Sequence, residues 1–308
     1  MKNYNLIVFK MGGVLFTKIG VIKEIYKKAL EFSKHLFSLE NFKIMFVCSA
    51  TEGTTRQLIS LYEAVKKKDL KRRDKILKDL QKKHHSLIYE IFPSTHADHA
   101  KQEIRKLFKA LKNEIILRPS YPAIVKYGEL ISSTIFSLLL EVDENVHHLF
   151  DARECIRTYG SLSCAKLNLQ KSVKFTIQSM SGKINHNDAF ITQTFISQHH
   201  HLRRTSILPL NAGDLSAAVF AHALNADYMI FLKDVLGVLV DENGERDNPL
   251  NIIPEMSYGE YTKMFKGKDR YPVYPEAISV LGINKIRTRI CSFYNLKAYG
   301  TEIREVIA

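Results

Sequence analysis

Two short, uninterrupted apolar runs with one helical repeat between them constrain this chain more than any other feature. Leu6-Ile7-Val8-Phe9 and Ile44-Met45-Phe46-Val47-Cys48 show no polar alternation, so both faces of each strand must be covered. Between them, Ile19, Ile22, Ile25, Tyr26 and Ala29 keep a helical spacing over about residues 18–38. Strand, helix and strand in this order make a right-handed βαβ unit, hence an α/β fold with a mainly parallel sheet. Such sheets bind ligands beyond the carboxyl ends of their strands. The first run ends there in Lys10-Met11-Gly12-Gly13. Two glycines let backbone N–H groups approach a bulky anion, and a lysine adds a point charge. The same residues suit a turn without a ligand.

The second strand runs into "SATEGTT", followed by a helix carrying Leu58, Leu61, Tyr62 and Val65. Residues 66–118 read as a polar helical excursion from the sheet, with breaks near Pro93 and Pro119. "GELISSTIFSLLLE", residues 128–141, is apolar nearly all round and predicts a buried helix. Strands are expected at Val146–Phe150, Val173–Ile177 and across residues 188–197. Asp214 opens a helix, "DYMIFLKDVLGVLV" reads as strand, turn and strand, and Ser257-x-x-Glu260 is a capping box. Two more strands are expected near Lys285–Ile290 and Leu296–Tyr299.

At 308 residues and 45% apolar, the chain can bury a large core. No run of the roughly 18 apolar residues that span a membrane is evident, nor a signal-peptide cleavage site. Cys48, Cys155, Cys164 and Cys291 lack metal-binding spacing and suit a reducing cytoplasm as small buried hydrophobes. The net charge of +13 is concentrated: residues 66–112 hold 15 Lys/Arg against 6 Asp/Glu. No aromatic platform or reading module accompanies that charge, which favours a solvated helical face over a nucleic-acid surface. His199-His200-His201 reads as an exposed loop, because neighbours on an extended chain point to opposite faces.

The order of motifs resembles the catalytic domain of aspartokinases, in the amino acid kinase family. Lys10-Met11-Gly12-Gly13 is similar to a family Lys-Phe-Gly-Gly, and Ser49-Ala50-Thr51-Glu52-Gly53-Thr54 to its serine-led turn. Gly128-Glu129 matches a Gly-Glu that opens a long helix, and Phe150-Asp151-Ala152-Arg153 a Phe-Asp-x-Arg. "FITQTFIS" and "AGDLSAAVFAHALNADYMIFLKDVLGV" resemble the later segments. The resemblance runs from about residue 5 to 303. It implies a three-layer α/β/α sandwich forming a single domain over residues 1–308, with the excursion at about 66–118 and no C-terminal regulatory domain.

The implied chemistry is ATP-dependent phosphorylation of the side-chain carboxylate of L-aspartate, with Mg²⁺, in cytoplasmic amino-acid biosynthesis. Lys10 would neutralise charge on the transferred group, and Gly12 and Gly13 would present backbone donors. Ser49 would contact the substrate or the phosphate, Glu129 the substrate ammonium, and Asp214 would organise Lys10. Asp234 would lie on the nucleotide side, and Arg153 is a further substrate-site candidate. Simpler roles exist for each: Glu129 at the positive end of its helix, Asp214 as an N-cap, Ser49 as a turn residue, Arg153 paired with Asp151 or Glu154. The implied assembly is a homodimer, with no membrane partner.

Departures from the family pattern cluster around the same site. Val14-Leu15 replace a Thr-Ser pair, and Leu210 falls where the family loop has an arginine expected to grip the substrate carboxylate. Lys233 replaces a threonine, Glu242-Asn243-Gly244 an Asp-Pro-Arg, and a family lysine falls near Arg270 or Tyr271. Arg203 or Arg204 is a substitute for the missing arginine. These changes admit a kinase for another small carboxylate, or a silent family member that binds nucleotide or metabolite.

Overall fold

A computed structural model describes residues 2–38, 41–240, 248–294, 296 and 299–305. β1 (Asn5–Met11) passes through a 3₁₀ turn (Gly13–Thr17) into α1 (Ile19–Leu36) and returns as β2 (Phe42–Cys48). Helices α2 (Thr54–Lys66), α3 (Leu70–Ile91), α4 (Ser94–Leu117), α5 (Tyr121–Val125) and α6 (Tyr127–Val142) follow. Next come β3 (His147–Leu149), β4 (Arg157–Ser161), β5 (Cys164–Leu167), α7 (Leu169–Met180) and β6 (Ala189–Gln193). β7 (Ile196–His199), β8 (Thr205–Ile207), α8 (Gly213–Ala223) and β9 (Tyr228–Lys233) lead to the last elements. These are β10 (Glu255–Met256), α9 (Tyr258–Met264), α10 (Pro275–Ile283), β11 (Arg287–Ser292) and β12 (Thr301–Ile303).

Among the described residues, the main sheet runs β10-β12-β11-β9-β1-β2-β6-β3. Every neighbouring pair is parallel except β11 with β12. β1 lies between β2 and β9, so the strand order reverses beside it, and the crevice at its carboxyl end is where a ligand is expected. α1 and α6 cover one face, where Phe136 meets Phe46 with ring centroids 5.0 Å apart. On the opposite face α8 packs on β1 and β9, with α7 and α10 against it. A smaller sheet, β5-β4-β7-β8, stands beside this sandwich.

The 66–118 excursion is the pair α3 and α4, broken at Pro93, which precedes α4. Leu77, Leu80, Ile88 and Ile91 of α3, with Ile104, Phe108 and Leu111 of α4, are buried. Most of the lysines and arginines between them face solvent. Periodic apolar positions on an otherwise charged pair thus dock it onto α2 and α6.

Several expectations are corrected. Val173–Ile177 is helical, within α7, whose buried face is Ser172, Thr176 and Met180 at four-residue steps, with Asn168 capping Lys171 N. The single strand expected at 188–197 is two strands in two sheets. Phe195 at φ 65° turns the chain between them, its N–H donating to Ser216 Oγ at 3.0 Å. Among the described residues, the second strand expected within "DYMIFLKDVLGVLV" does not form; Leu239 makes only an isolated bridge to Ile252. The strand expected at Leu296–Tyr299 falls on residues 297 and 298, which lie outside the described residues; among the described residues the last strand is Thr301–Ile303. His199 is buried at the end of β7, and only the turn after it is open to solvent. Cys164 is exposed, whereas the other cysteines are buried. Tyr121–Val142 does have the length and apolarity to cross a membrane, but 83% of its most apolar window is buried in the core.

Candidate active site

The carboxyl ends of β1, β2 and β9 open into a cavity of about 590 Å³. Lys10, Ser49, Glu129 and Asp214 all line it, together with Lys233, Arg56, Arg270, Thr194 and Leu210. Lys10 Nζ lies 3.1 Å from Asp214 Oδ1, and both side chains are buried. Lys233 Nζ donates to both oxygens of the same carboxylate, at 3.0 and 2.9 Å. The Tyr274 N–H completes the set at 3.1 Å from Oδ2. Asp214 sits in the first turn of α8 without capping it, so the ordinary N-cap role is excluded by geometry. Burial alone would push its carboxyl up. Lys10 and Lys233 outweigh burial and bring it to about 2. Lys233 is pulled down to about 8 by burial, against the attraction of Asp214 and with the repulsion of Lys10.

Glu129 is placed by the first turn of α6, where Gly128 allows the helix to approach Ala50. It is 3% exposed, and its Oε2 has no hydrogen-bond partner. Burial drives its carboxyl up to about 8, against hydrogen bonds from its own and the Ala50 backbone and the pull of Lys10. A buried acid with an unpaired oxygen is suited to receive a donor, and a cation above all.

Ser49 ends β2. The Ser132 hydroxyl donates to its carbonyl at 2.7 Å, and the Thr194 hydroxyl to its Oγ at 3.2 Å. The turn that follows is pinned from two sides. Glu52 N–H donates to the Gly13 carbonyl at 3.1 Å, and a Cβ on Gly13 would be driven into the Ala50 carbonyl. From α3, Lys83 Nζ donates to the Glu52 carbonyl and to Thr54 Oγ1 at 3.0 Å, while His84 lies against Thr51. Gly13 is therefore required for close packing. Gly12 has an ordinary extended conformation, with nothing nearer than 3.6 Å to an added Cβ.

Other sequence candidates are placed differently. Arg153 lines a separate concavity, with its Nε at 2.9 and 3.0 Å from the Asp151 carboxylate and its Nη1 donating to Thr205 Oγ1 at 3.0 Å. Arg203 is also there, away from Leu210. Asp234 is exposed in the bend after β9 and does not line the cavity. Leu15 is buried in the core and Val14 half-buried, so neither apolar residue covers the cavity floor. Glu242-Asn243-Gly244 lie outside the described residues. Arg56, from the second residue after Thr54, had no motif to mark it; its proximity arises only from the turn into α2.

Among the described residues, no group of three or more His, Cys, Asp or Glu could hold a metal ion. By sequence alone, no curated protein matches the chain. Among solved structures, E. coli aspartokinase III in complex with aspartate and ADP superposes with a TM-score of 0.79 at 21% identity, over 98% of this chain and 65% of its own. Clostridium acetobutylicum aspartate kinase gives 0.73 at 17%, over 98% and 62%. Giardia lamblia carbamate kinase bound to AMP-PNP gives 0.52 at 11%, over 99% and 100%. The chain thus spans less than two thirds of the length of the two aspartokinases. Residues 5–292 match the amino acid kinase family, with the paired strand ends and the buried acid falling inside that span, and the chain belongs to this family.

Proposed function

We propose that the protein transfers the γ-phosphoryl group of ATP to the side-chain carboxylate of a small amino acid, with L-aspartate as the first acceptor. The observation that carries this reading is Lys10 fixed on Asp214 at the strand ends, sharing one cavity with the buried, half-unpaired Glu129. Phosphoryl transfer asks for positioning and positive charge more than for covalent help. Lys10 supplies charge at the transferring group, Asp214 holds it in place, and Ser49 offers a hydroxyl. Glu129 takes the ammonium of the acceptor. Gly12 and Gly13 lead the backbone out of β1, and Asp234 belongs to the nucleotide-side bend. Mg²⁺ arrives on the phosphates of the nucleotide, as part of the substrate. Arg153, tied to Asp151, acts outside this cavity. The described residues form one kinase domain with a braced helical excursion.

A second acceptor class is favoured by Leu210, 54% exposed on the cavity lining. With an aliphatic side chain there, a small carboxylate other than aspartate fits as well. Purified protein with ATP, Mg²⁺ and a panel of amino acids, with hydroxylamine to trap acyl phosphate, tests both readings. Hydroxamate formed with aspartate and lost in Lys10→Ala supports the first, and hydroxamate with a different acid supports the second. No hydroxamate from any acid overturns the kinase reading.

A further inference from the structure

The threonine-to-lysine change at Lys233 looks damaging in sequence, yet its side chain lines the cavity beside Lys10. Its ammonium and that of Lys10 contact the same atom, Asp214 Oδ1, at 3.0 and 3.1 Å. They arrive from adjacent parallel strands, β9 and β1. Asp214 has both oxygens engaged, Oδ1 by the two lysines and Oδ2 by Lys233 and the Tyr274 N–H. It is therefore a positioning residue, with no lone pair left to act on a substrate in this arrangement. One carboxylate offsets one ammonium, so the cluster keeps an excess positive charge at the cavity floor. The other ionisable groups on the lining are Arg56, Arg270, Asp269 and Glu129, the last mostly neutral at pH 7. An ammonium carries three protons, and Asp214 does not use all of those on the two lysines. A buried excess of this kind is relieved by an anion.

We propose that Lys233 is a second phosphate-contacting lysine, and that it and Lys10, spaced by Asp214, grip one phosphoryl group from two neighbouring strand ends. This deepens the phosphoryl-transfer reading and rests on it for the identity of the ligand. In the transfer, an acceptor carboxylate oxygen forms a bond to the γ-phosphorus as the bond to the β,γ-bridging oxygen breaks. ADP leaves with that electron pair, and no proton changes hands. Charge moves onto the bridging oxygen, and a fixed second ammonium stabilises that state without reorganisation. The chain then carries its second cation on β9. The segment at Arg270 and Tyr271 lines the same cavity without having to supply it.

Lys233→Met and Lys233→Arg, each checked for an unchanged melting temperature, test the assignment. Lys233→Met is expected to lower kcat about 100-fold, with the acceptor KM changed less than about threefold, and Lys233→Arg to recover part of the loss. ATP affinity without acceptor is expected to fall about tenfold, with adenosine affinity unchanged. Wild-type kcat and ATP affinity in Lys233→Met overturn the proposal, as does an equal loss for ATP and adenosine. If Lys233→Met does not fold, lysine acylation of the native protein followed by peptide mass spectrometry decides. ATP must shield Lys233 where adenosine does not, and equal labelling overturns the proposal. If the wild type phosphorylates no acid, the kinase reading fails, and the ATP-shielding result still decides whether Lys233 contacts phosphate.

Discussion

His84 Nε2 lies 3.1 Å from the Thr51 hydroxyl, while the opposite ring nitrogen, Nδ1, is 2.8 Å from the Leu80 carbonyl. A carbonyl can only accept, so Nδ1 carries the proton and Thr51 donates to Nε2. Thr51 Oγ1 then accepts from Thr54, 2.5 Å away, and Thr54 Oγ1 from Lys83 at 3.0 Å. The excursion helix α3 is thereby a brace for the turn that forms one wall of the cavity.

Burial pulls His84 down to about 4, so the folded protein binds fewer protons than the unfolded chain between about pH 6.5 and 4. Its contribution to stability is present above that window and is lost as pH falls through it. His84→Leu is expected to remove this acid limb from urea-unfolding stability measured against pH. It should also cost about 1–3 kcal/mol at pH 7, because Thr51 is left without its acceptor. An acid limb unchanged in the variant would show that other groups set it.

Gly12 and Gly13 are predicted to differ sharply despite being neighbours. Gly13→Ala forces the turn away from β1 and should destabilise by about 1–3 kcal/mol. Gly12→Ala meets only the Leu232 carbonyl at 3.6 Å and should stay within about 0.5 kcal/mol of the wild type. Denaturant midpoints at constant slope make the comparison, and equal effects of the two substitutions would contradict the packing account.

Glu129 is mostly protonated in the free protein at pH 7, because burial raises its carboxyl to about 8. An amino-acid ammonium binding there needs the carboxylate, so binding should release close to one proton at pH 7 and almost none above pH 9. Calorimetry in buffers of different ionisation enthalpy measures that release. Glu129→Gln should abolish it; a release that persists in the variant places the proton elsewhere.

Leu210→Arg is expected to lower the KM for a dicarboxylic amino acid about tenfold or more, since a bidentate guanidinium–carboxylate pair contributes about 1.5–3 kcal/mol. Steady-state kinetics would show it. No change would mean that Arg56 or Arg270 already holds the carboxylate.

The framework was legible because the buried residues of β1, β2 and the α6 helix are mostly apolar, in runs long enough to read. α7 was not, because Ser172 and Thr176 fill its buried face with small polar groups that leave no apolar stripe. The break at Thr194-Phe195 was hidden inside an apolar run, since a left-handed backbone at a phenylalanine leaves no mark in sequence. At the site, Lys10, Ser49, Glu129 and Asp214 were recoverable from the order of motifs. The meeting of Lys10 with Lys233 depends on β1 lying next to β9, a contact between segments more than two hundred residues apart. Arg153 was drawn into the site by its motif, whereas its guanidinium is committed to Asp151.

The central place of β1 also has a consequence in time. Its pairing with β9, from Ile7 opposite Tyr228 to Met11 opposite Leu232, requires an early segment to meet a much later one. At ~5–20 residues per second, a ribosome needs on the order of ten to forty seconds to make the roughly 220 residues between them. Throughout that interval one edge of the nascent β1–β2 pair stays open, with Lys10 at its tip and no Lys233 beside it. The edge is a place where a second nascent chain could add a strand. Closing of β9 onto β1 ends that exposure and, in the same event, assembles the two lysines.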